Sequence, residues 1–474
     1  MVFSSHIFLL YFLPAFLLLY FLVPAKWRNA VLLAASVIFY AWGAPDFVLV
    51  LLASTVANFY IVKAMDKAQS RKTKRMWCAA ALTVSLGLLA WFKYANFFVD
   101  NVNALLTSLG LGVMGWTKVL LPIGISFFTF QSVTYVVDTY RGVNKPMEKL
   151  TDYVLYIIMF PQLIAGPIVR YNEIADQVTA VRRMRWDEFL QGFYRFVIGL
   201  SKKVLIADVI GRTVDVTLGG DLAALDMGTA WITLAAYTMQ LYFDFSGYSD
   251  MAIGLGRIMG FKFPENFDNP YVSTSVTEFW RRWHITLGAF MRNYLYIPLG
   301  GNRCGKRRMY LNLWVVFLLS GLWHGAGWNF VLWGAYHGFF LVIERMTGWG
   351  RSDGGRFKVL RVLLNFVVVM IGWALFRIED LGQCWTFLGR LFSFSFGPIG
   401  AGVSSQYYVT LIVALAFAFV TLFPFGRKLQ QWTFYTDYRG GQHIAVWVVA
   451  CLLFFFCTGA LGATDFSPFI YFRF

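Results

Sequence analysis

The stretch Gly321-Leu322-Trp323-His324-Gly325-Ala326-Gly327-Trp328 sets a single histidine between two long apolar runs, 311–322 and 328–343. Both runs read as membrane helices, where an ionisable side chain is expensive and marks a functional candidate. The glycines on either side of His324 interrupt the helix there. Broken backbone at membrane depth survives only where protein buries it or where it lines a wet cavity. A neutral imidazole, with an ordinary pKa of about 6.5, can take up a proton and return it near neutral pH. The pattern points to His324 as a proton-handling group facing a polar pocket. A core histidine hydrogen-bonded to a neighbouring helix would leave the same trace.

A second constellation lies at 277–295, which is too polar to span a bilayer. At 100° per residue, Phe279, Trp280, Trp283, Leu287, Phe290, Met291 and Tyr294 form one stripe about 120° wide, with Glu278, Arg281, Arg282 and Arg292 opposite. This predicts one amphipathic helix at the cytoplasmic interface or folded back into the protein, with His284 at the edge of its apolar stripe. Arg281 and Arg282 could meet lipid headgroups or, with the basic loop 303–308, attract a phosphate-bearing donor. Asp244 and Asp250 lie within the apolar segment 237–259, where Lys202, Lys203 or Arg257 are candidate partners. With His337 and Trp323 they are the further candidates for the pocket lining. His337 follows His324 by 13 residues, roughly 220° around an unbroken helix, so the two share a face only if the glycine break reorients them.

These residues need membrane elements to hold them. The chain is 58% hydrophobic and 14% charged, with a mean hydropathy of +0.58, against about a quarter charged in soluble proteins. Apolar runs at 7–23, 46–62, 79–92, 228–243, 359–376 and 408–423 approach or reach the roughly 20 residues of a crossing. The sequence therefore predicts an all-α polytopic membrane protein forming a single domain over 1–474, with about a dozen crossing or partial helices. Residues 1–5 lack the charged region of a cleavable signal, so the first run is expected to be a retained helix. The net charge of +16 sits in short loops between apolar runs. That favours topology and attraction to anionic membrane lipids over nucleic-acid binding, for which no soluble basic face exists. Cys78, Cys304, Cys384, Cys451 and Cys457 form no close pair, so neither a disulfide framework nor a metal site is expected.

Loop charges orient the helices. Segment 63–75 carries six Lys/Arg and one Asp and marks the cytoplasm. Lys26 and Arg28 then lie inside and the amino terminus outside. Segment 153–170 contains Pro161, Gly166 and Pro167 and has basic residues on both flanks, which predicts a re-entrant or broken helix. The basic loops 303–308 and 345–361 bring both helices around His324 back to the cytoplasm. Arg427 and Lys428 mark a last inside loop, which places the ending 466–474 outside.

Six motifs carry a resemblance: 1–5 (Met-Val-Phe-Ser-Ser), 121–127 (Leu-Pro-Ile-Gly-Ile-Ser-Phe), 160–167 (Phe-Pro-Gln-Leu-Ile-Ala-Gly-Pro), 241–251 (Leu-Tyr-Phe-Asp-Phe-Ser-Gly-Tyr-Ser-Asp-Met), 277–285 (Thr-Glu-Phe-Trp-Arg-Arg-Trp-His-Ile) and 321–325 (Gly-Leu-Trp-His-Gly). The chain resembles membrane-bound O-acyltransferases, specifically the bacterial branch that O-acetylates alginate and D-alanylates teichoic acid, and its ending is similar to the alginate type. The resemblance implies a ring of helices around a thin central region, with re-entrant and interfacial helices. It implies that His324 is the catalytic histidine and His284 the second signature histidine. It further implies a cytoplasmic thioester donor, acetyl-CoA or a carrier-bound thioester, with no tightly bound cofactor. The acceptor is a polysaccharide hydroxyl, or a serine on an extracytoplasmic partner of the SGNH type, and the setting is the bacterial inner membrane. Alginate, cellulose and peptidoglycan acetylation stay open, as does D-alanyl transfer. Two departures stand out: Arg292-Asn293 replaces an expected Arg-Asp, and the stretch near 439–443 is shorter than in the alginate type. A transporter or flippase also uses broken helices and intramembrane acids, but it predicts paired halves with matching breaks, and the sequence has none.

Overall fold

The computed structural model describes residues 2–164, 166–183, 185–351, 355–397, 403–463 and 469–470. Those residues are overwhelmingly helical. Among them the sole strand-like feature is an isolated antiparallel bridge between Phe267 and Trp283. The chain folds as two compact units, one of Met1–Arg185 with Met259–Pro264, the other of Trp186–Ile258 with Glu265–Phe474.

In the first unit, α1 (Leu13–Leu22), α2 (Arg28–Gly43) and α3 (Val48–Lys67) precede α4 (Arg71–Leu89), which runs through a π-helical turn into α5 (Ala95–Ser108). Then come α6 (Ile125–Tyr140), α7 (Leu150–Ile158), α8 (Phe160–Leu163) and α9 (Tyr171–Thr179). Segments Pro45–Lys67 and Arg71–Ser108 are long and apolar enough to cross a membrane. The expected break in 153–170 is present. Helix α7 ends at Ile158, Pro161 lies in the first turn of the short helix α8, and an extended Arg170 precedes α9. The segment 259–264 belongs here because Met259 O accepts from Tyr20 Oη (2.9 Å) and Phe261 lies 4.0 Å beneath the Arg182 guanidinium.

The second unit carries every candidate site residue. It contains α10 (Trp186–Ser201), α11 (Asp208–Leu218), α12 (Met227–Ile258), α13 (Val276–Arg282), α14 (Ile285–Phe290), α15 (Lys306–His324), α16 (Trp328–Thr347), α17 (Lys358–Arg377), α18 (Leu381–Arg390), α19 (Ser405–Phe419), α20 (Pro424–Tyr435) and α21 (Gly440–Gly462). Segments Gly355–Arg377, Ser405–Leu422 and Gly440–Gly462 are long and apolar enough to cross a membrane. The protein is thus an all-α, multi-pass membrane protein. The apolar run 228–243 is one half of α12, an unbroken helix of 32 residues, about 48 Å long and buried along most of its length. Of the ending 466–474, only Phe469 and Ile470 fall among the described residues, so the side on which the carboxyl terminus lies is outside them.

One expectation is corrected. Segment 277–295 is not a single amphipathic helix: it breaks at Trp283–His284 into α13 and α14, and a π-helical turn Met291–Tyr296 follows. Of the two expected placements of its apolar stripe, the structure shows the folded-back one, with Phe279, Trp283, Leu287 and Phe290 all in the core of the unit. Tertiary pairing overrides the helical period here, because Trp283 bridges to Phe267 and His284 turns into the left-handed region, φ 46°.

Candidate functional site

His324 is the last residue of α15. Gly325 and Gly327 are both extended (φ −159° and −156°), and α16 starts at Trp328. The two helices pack as a hairpin whose closeness depends on two glycines. A Cβ on Gly321 would meet Phe330 O at 2.2 Å, and one on Gly334 would meet Phe317 O at 2.4 Å. Lipid is as apolar as leucine, so such close backbone packing is what holds membrane helices together. His324 is 4% exposed, and its ring sits among Trp323 (ring centroids 4.8 Å), Trp333 (5.1 Å) and Phe376 of α17 (5.3 Å).

His284 reaches the same cluster from the α13–α14 break, its ring 6.2 Å from that of Trp323. Trp323 therefore touches both histidines. His337, fully buried in α16, packs edge-on against Trp333 (5.2 Å) and Trp280 (5.1 Å). The glycine break thus brings His337 against the same tryptophan that meets His324, although an unbroken helix would separate them. Trp333, Trp373 and Phe376 complete an aromatic box that the sequence did not single out: Trp373 lies 4.8 Å from Trp283 and 6.0 Å from Trp333.

Asn266 is the other residue that sequence reasoning missed. It is fully buried, and its Oδ1 lies 3.0 Å from His284 Nδ1, 2.8 Å from Thr286 Oγ1 and 3.4 Å from the Thr286 N–H. Asn266 Nδ2 donates to Ser249 Oγ (3.0 Å). A backbone N–H can only donate, so the atom facing it is the amide oxygen, and His284 Nδ1 must carry its hydrogen. Nε2 is then the ring's lone pair. Two backbone bonds fasten the strand-like pairing around it: Asp268 N–H to Arg282 O and Ile285 N–H to Asn266 O, both 2.9 Å.

The start of α13 is held from α16. Glu344 accepts the N–H groups of Val276 (2.7 Å) and Thr277 (2.8 Å), and Ser275 Oγ accepts that of Glu278 (3.0 Å). Asn365 of α17 donates to Ser273 O (3.0 Å). Desolvation raises the Glu278 carboxyl, but hydrogen bonds from Thr274 and the Arg282 guanidinium outweigh it and leave Glu278 below the usual carboxylate range.

The candidate donor-binding arginines differ. Arg282 is engaged with Glu278 and Asp268, both at 3.0 Å. Arg281 is exposed and forms no ion pair among the described residues, which makes it the freer of the two for a phosphate. The two acids of α12 are paired. Asp244 meets Lys203 (2.7 Å) and accepts the Ile470 N–H (2.8 Å). Asp250 meets Arg195 (2.7 Å) and Lys202 (2.6 Å). Arg257 instead pairs with Glu188. Among the described residues, no group of three or more His, Cys, Asp or Glu side chains converges on a metal position.

Chemically, a buried imidazole at a helix break, sharing a tryptophan neighbour with a second imidazole whose lone pair is assigned, can handle protons in aromatic surroundings. Comparison with known sequences narrows this. A profile of the membrane-bound O-acyltransferase family matches residues 139–378. The chain is 42% identical, over the whole of both chains, to a protein of Pseudomonas putida named a probable alginate O-acetylase. It is 37% identical to a peptidoglycan O-acetyltransferase of Helicobacter pylori, covering 80% of this chain and 78% of that one. Similarity to the teichoic acid D-alanyltransferase of Bacillus subtilis is 28% over 54% of this chain and 68% of that one.

Proposed function

Because this chain belongs to the membrane-bound O-acyltransferase family and is an O-acyltransferase, we propose that it moves acetyl groups from a cytoplasmic thioester, acetyl-CoA, to an extracytoplasmic alginate-type polysaccharide, with His324 as general base. Full-length similarity to alginate O-acetylases supports the polymer. The lower and shorter similarity to D-alanyltransferases makes carrier-borne D-alanine the weaker reading. The observation that carries the chemistry is the convergence of His324 and His284 on Trp323.

In this reading His324 takes the proton of the attacking hydroxyl as that oxygen adds to the thioester carbonyl. The tetrahedral intermediate collapses by breaking the C–S bond, and the imidazolium returns the proton to the departing thiolate. The Gly325 N–H cannot stabilise the oxyanion, since it bonds to Gly321 O (3.3 Å). That task falls to Ala326, Gly327 and the positive end of α16. His284, held by Asn266, positions the thioester, while Arg281 and the exposed basic residues of 303–308 attract donor phosphates. The hydroxyl is a sugar hydroxyl or the serine of an SGNH-type partner. The protein sits in the inner membrane with both termini outside.

The test is transfer of radiolabelled acetyl from acetyl-CoA in membranes that contain the partner and polymer. Wild type is expected to label polymer or partner, and His324→Ala to fail at matched protein level. Failure of wild type itself would sink the acetyl-CoA reading.

A further inference from the structure

The second unit holds a cavity of about 750 Å³ that the acyl-transfer reading does not use. This is within the roughly 300–1,000 Å³ of small-molecule sites. Its apolar walls come from α19 and α21, through residues such as Val413 and Val449. Both helices are long and apolar enough to cross a membrane, and only 11% of the most apolar stretch of α21 is buried. The α21 side of the cavity is therefore formed by a helix that is apolar and largely unburied, as a lipid-facing helix is.

The polar part of the lining does not ask for a charged ligand. Arg195 is held by Asp250 (2.7 Å) and Glu265 (2.5 Å), and Lys202 by Asp250 (2.6 Å), so two cations meet two anions. Ser246 and Thr421 are different. Both line the cavity, both are more than nine-tenths buried, and neither hydroxyl has a hydrogen-bond partner among the described residues. Buried hydroxyls left in this state call for an oxygen to bond to. Residues of α10 and α12, among them Ile198, Phe243 and Ile253, line it as well, and a further wall is α20, an amphipathic helix. Exposed Phe423 and Phe425 flank its first turn beside exposed Arg427 and Lys428, the composition of a helix lying at an anionic membrane surface.

We propose that this cavity is a binding site for one glycerophospholipid with an anionic headgroup. One of its acyl chains fills the apolar part, the Ser246 and Thr421 hydroxyls donate to ester oxygens, and Arg427 and Lys428 attract the phosphate. Asn266 and Ser249 also line the cavity, so the lipid supports the pair that orients His284. The site stands independently of the acyl-transfer reading, and His324→Ala is expected to retain the lipid.

The test uses full-length protein purified in mild detergent, with retained lipid quantified by mass spectrometry after exchange against phosphatidylglycerol or phosphatidylcholine. Wild type is expected to keep phosphatidylglycerol in preference to phosphatidylcholine. Val413→Trp/Val449→Trp, which fills the cavity, is expected to keep about ten-fold less. Arg427→Gln/Lys428→Gln is expected to bind lipid without headgroup preference. A phosphatidylglycerol carrying a photoreactive acyl chain should label peptides of α19 and α21 in wild type. This mapping decides the matter if the tryptophan variant fails to fold. Equal retention in wild type and a folded tryptophan variant, or labelling spread evenly over other helices, would overturn the site.

Discussion

The two histidines that meet at Trp323 are held in opposite ways. His324 is placed by its own neighbourhood: apolar helices on both sides, glycines at the break, and close backbone packing at Gly321 and Gly334. His284 is placed by residues far along the chain. Asn266 lies 18 positions before it, and Glu344 of α16 and Asn365 of α17 anchor the segment that leads to it. One site residue is built by local sequence and the other by tertiary bonds. Local construction is readable and robust, whereas non-local construction is hidden and can be undone at a distance.

The comparison breaks at once if both histidines matter equally, and the largest effect is expected at His324. His324→Ala should lower acetyl transfer by roughly 10²–10⁴-fold, the usual range for losing a general base, while His284→Ala should cost visibly less in the same membrane assay. Asn266→Ala sharpens the contrast by leaving both imidazoles in place. It should lower kcat by about 10–100-fold, as loss of an orienting partner does for ligating histidines, with little change in the KM for acetyl-CoA. An unaltered kcat would mean that the Nδ1 hydrogen bond does not matter. Glu344→Gln removes the charge that caps α13. A thermal shift is expected to report a loss of about 1–3 kcal/mol, and activity should survive at low temperature. Arg281→Gln is the smallest change: a few-fold rise in KM for acetyl-CoA at low salt, fading as salt screens the charge. A fall in kcat instead would place Arg281 nearer the reacting atoms than its exposure suggests.

The same contrast explains what the sequence revealed. Helix type and membrane class follow from composition and apolar run length, and the break at 159–161 follows from Pro161. The partners of Asp244 and Asp250 were also legible, since Lys202 and Lys203 sit in a neighbouring apolar segment where a buried acid needs a cation. The break at His284 was not legible. The 3.6-residue period of 277–295 is real, but the Phe267–Trp283 bridge outweighs it. Asn266 lies in a stretch bounded by Pro264 and Pro270, which signals extended backbone but not which side chain will face a histidine. His337 was read as remote because helical geometry was carried through a break that ends it.

The carboxylate of Glu344 has a consequence for biosynthesis. Helix α13 has seven residues, far fewer than an isolated helix needs to persist. Two of its first N–H groups bond to a side chain synthesised 68 and 67 residues later. Chains emerge from the ribosome amino end first, so the His284 segment waits, without its lock, until the hairpin of α15 and α16 has been made. The candidate site is therefore completed in reverse order of its histidines: the later one is fixed by its own helices, and only then is the earlier one secured against them.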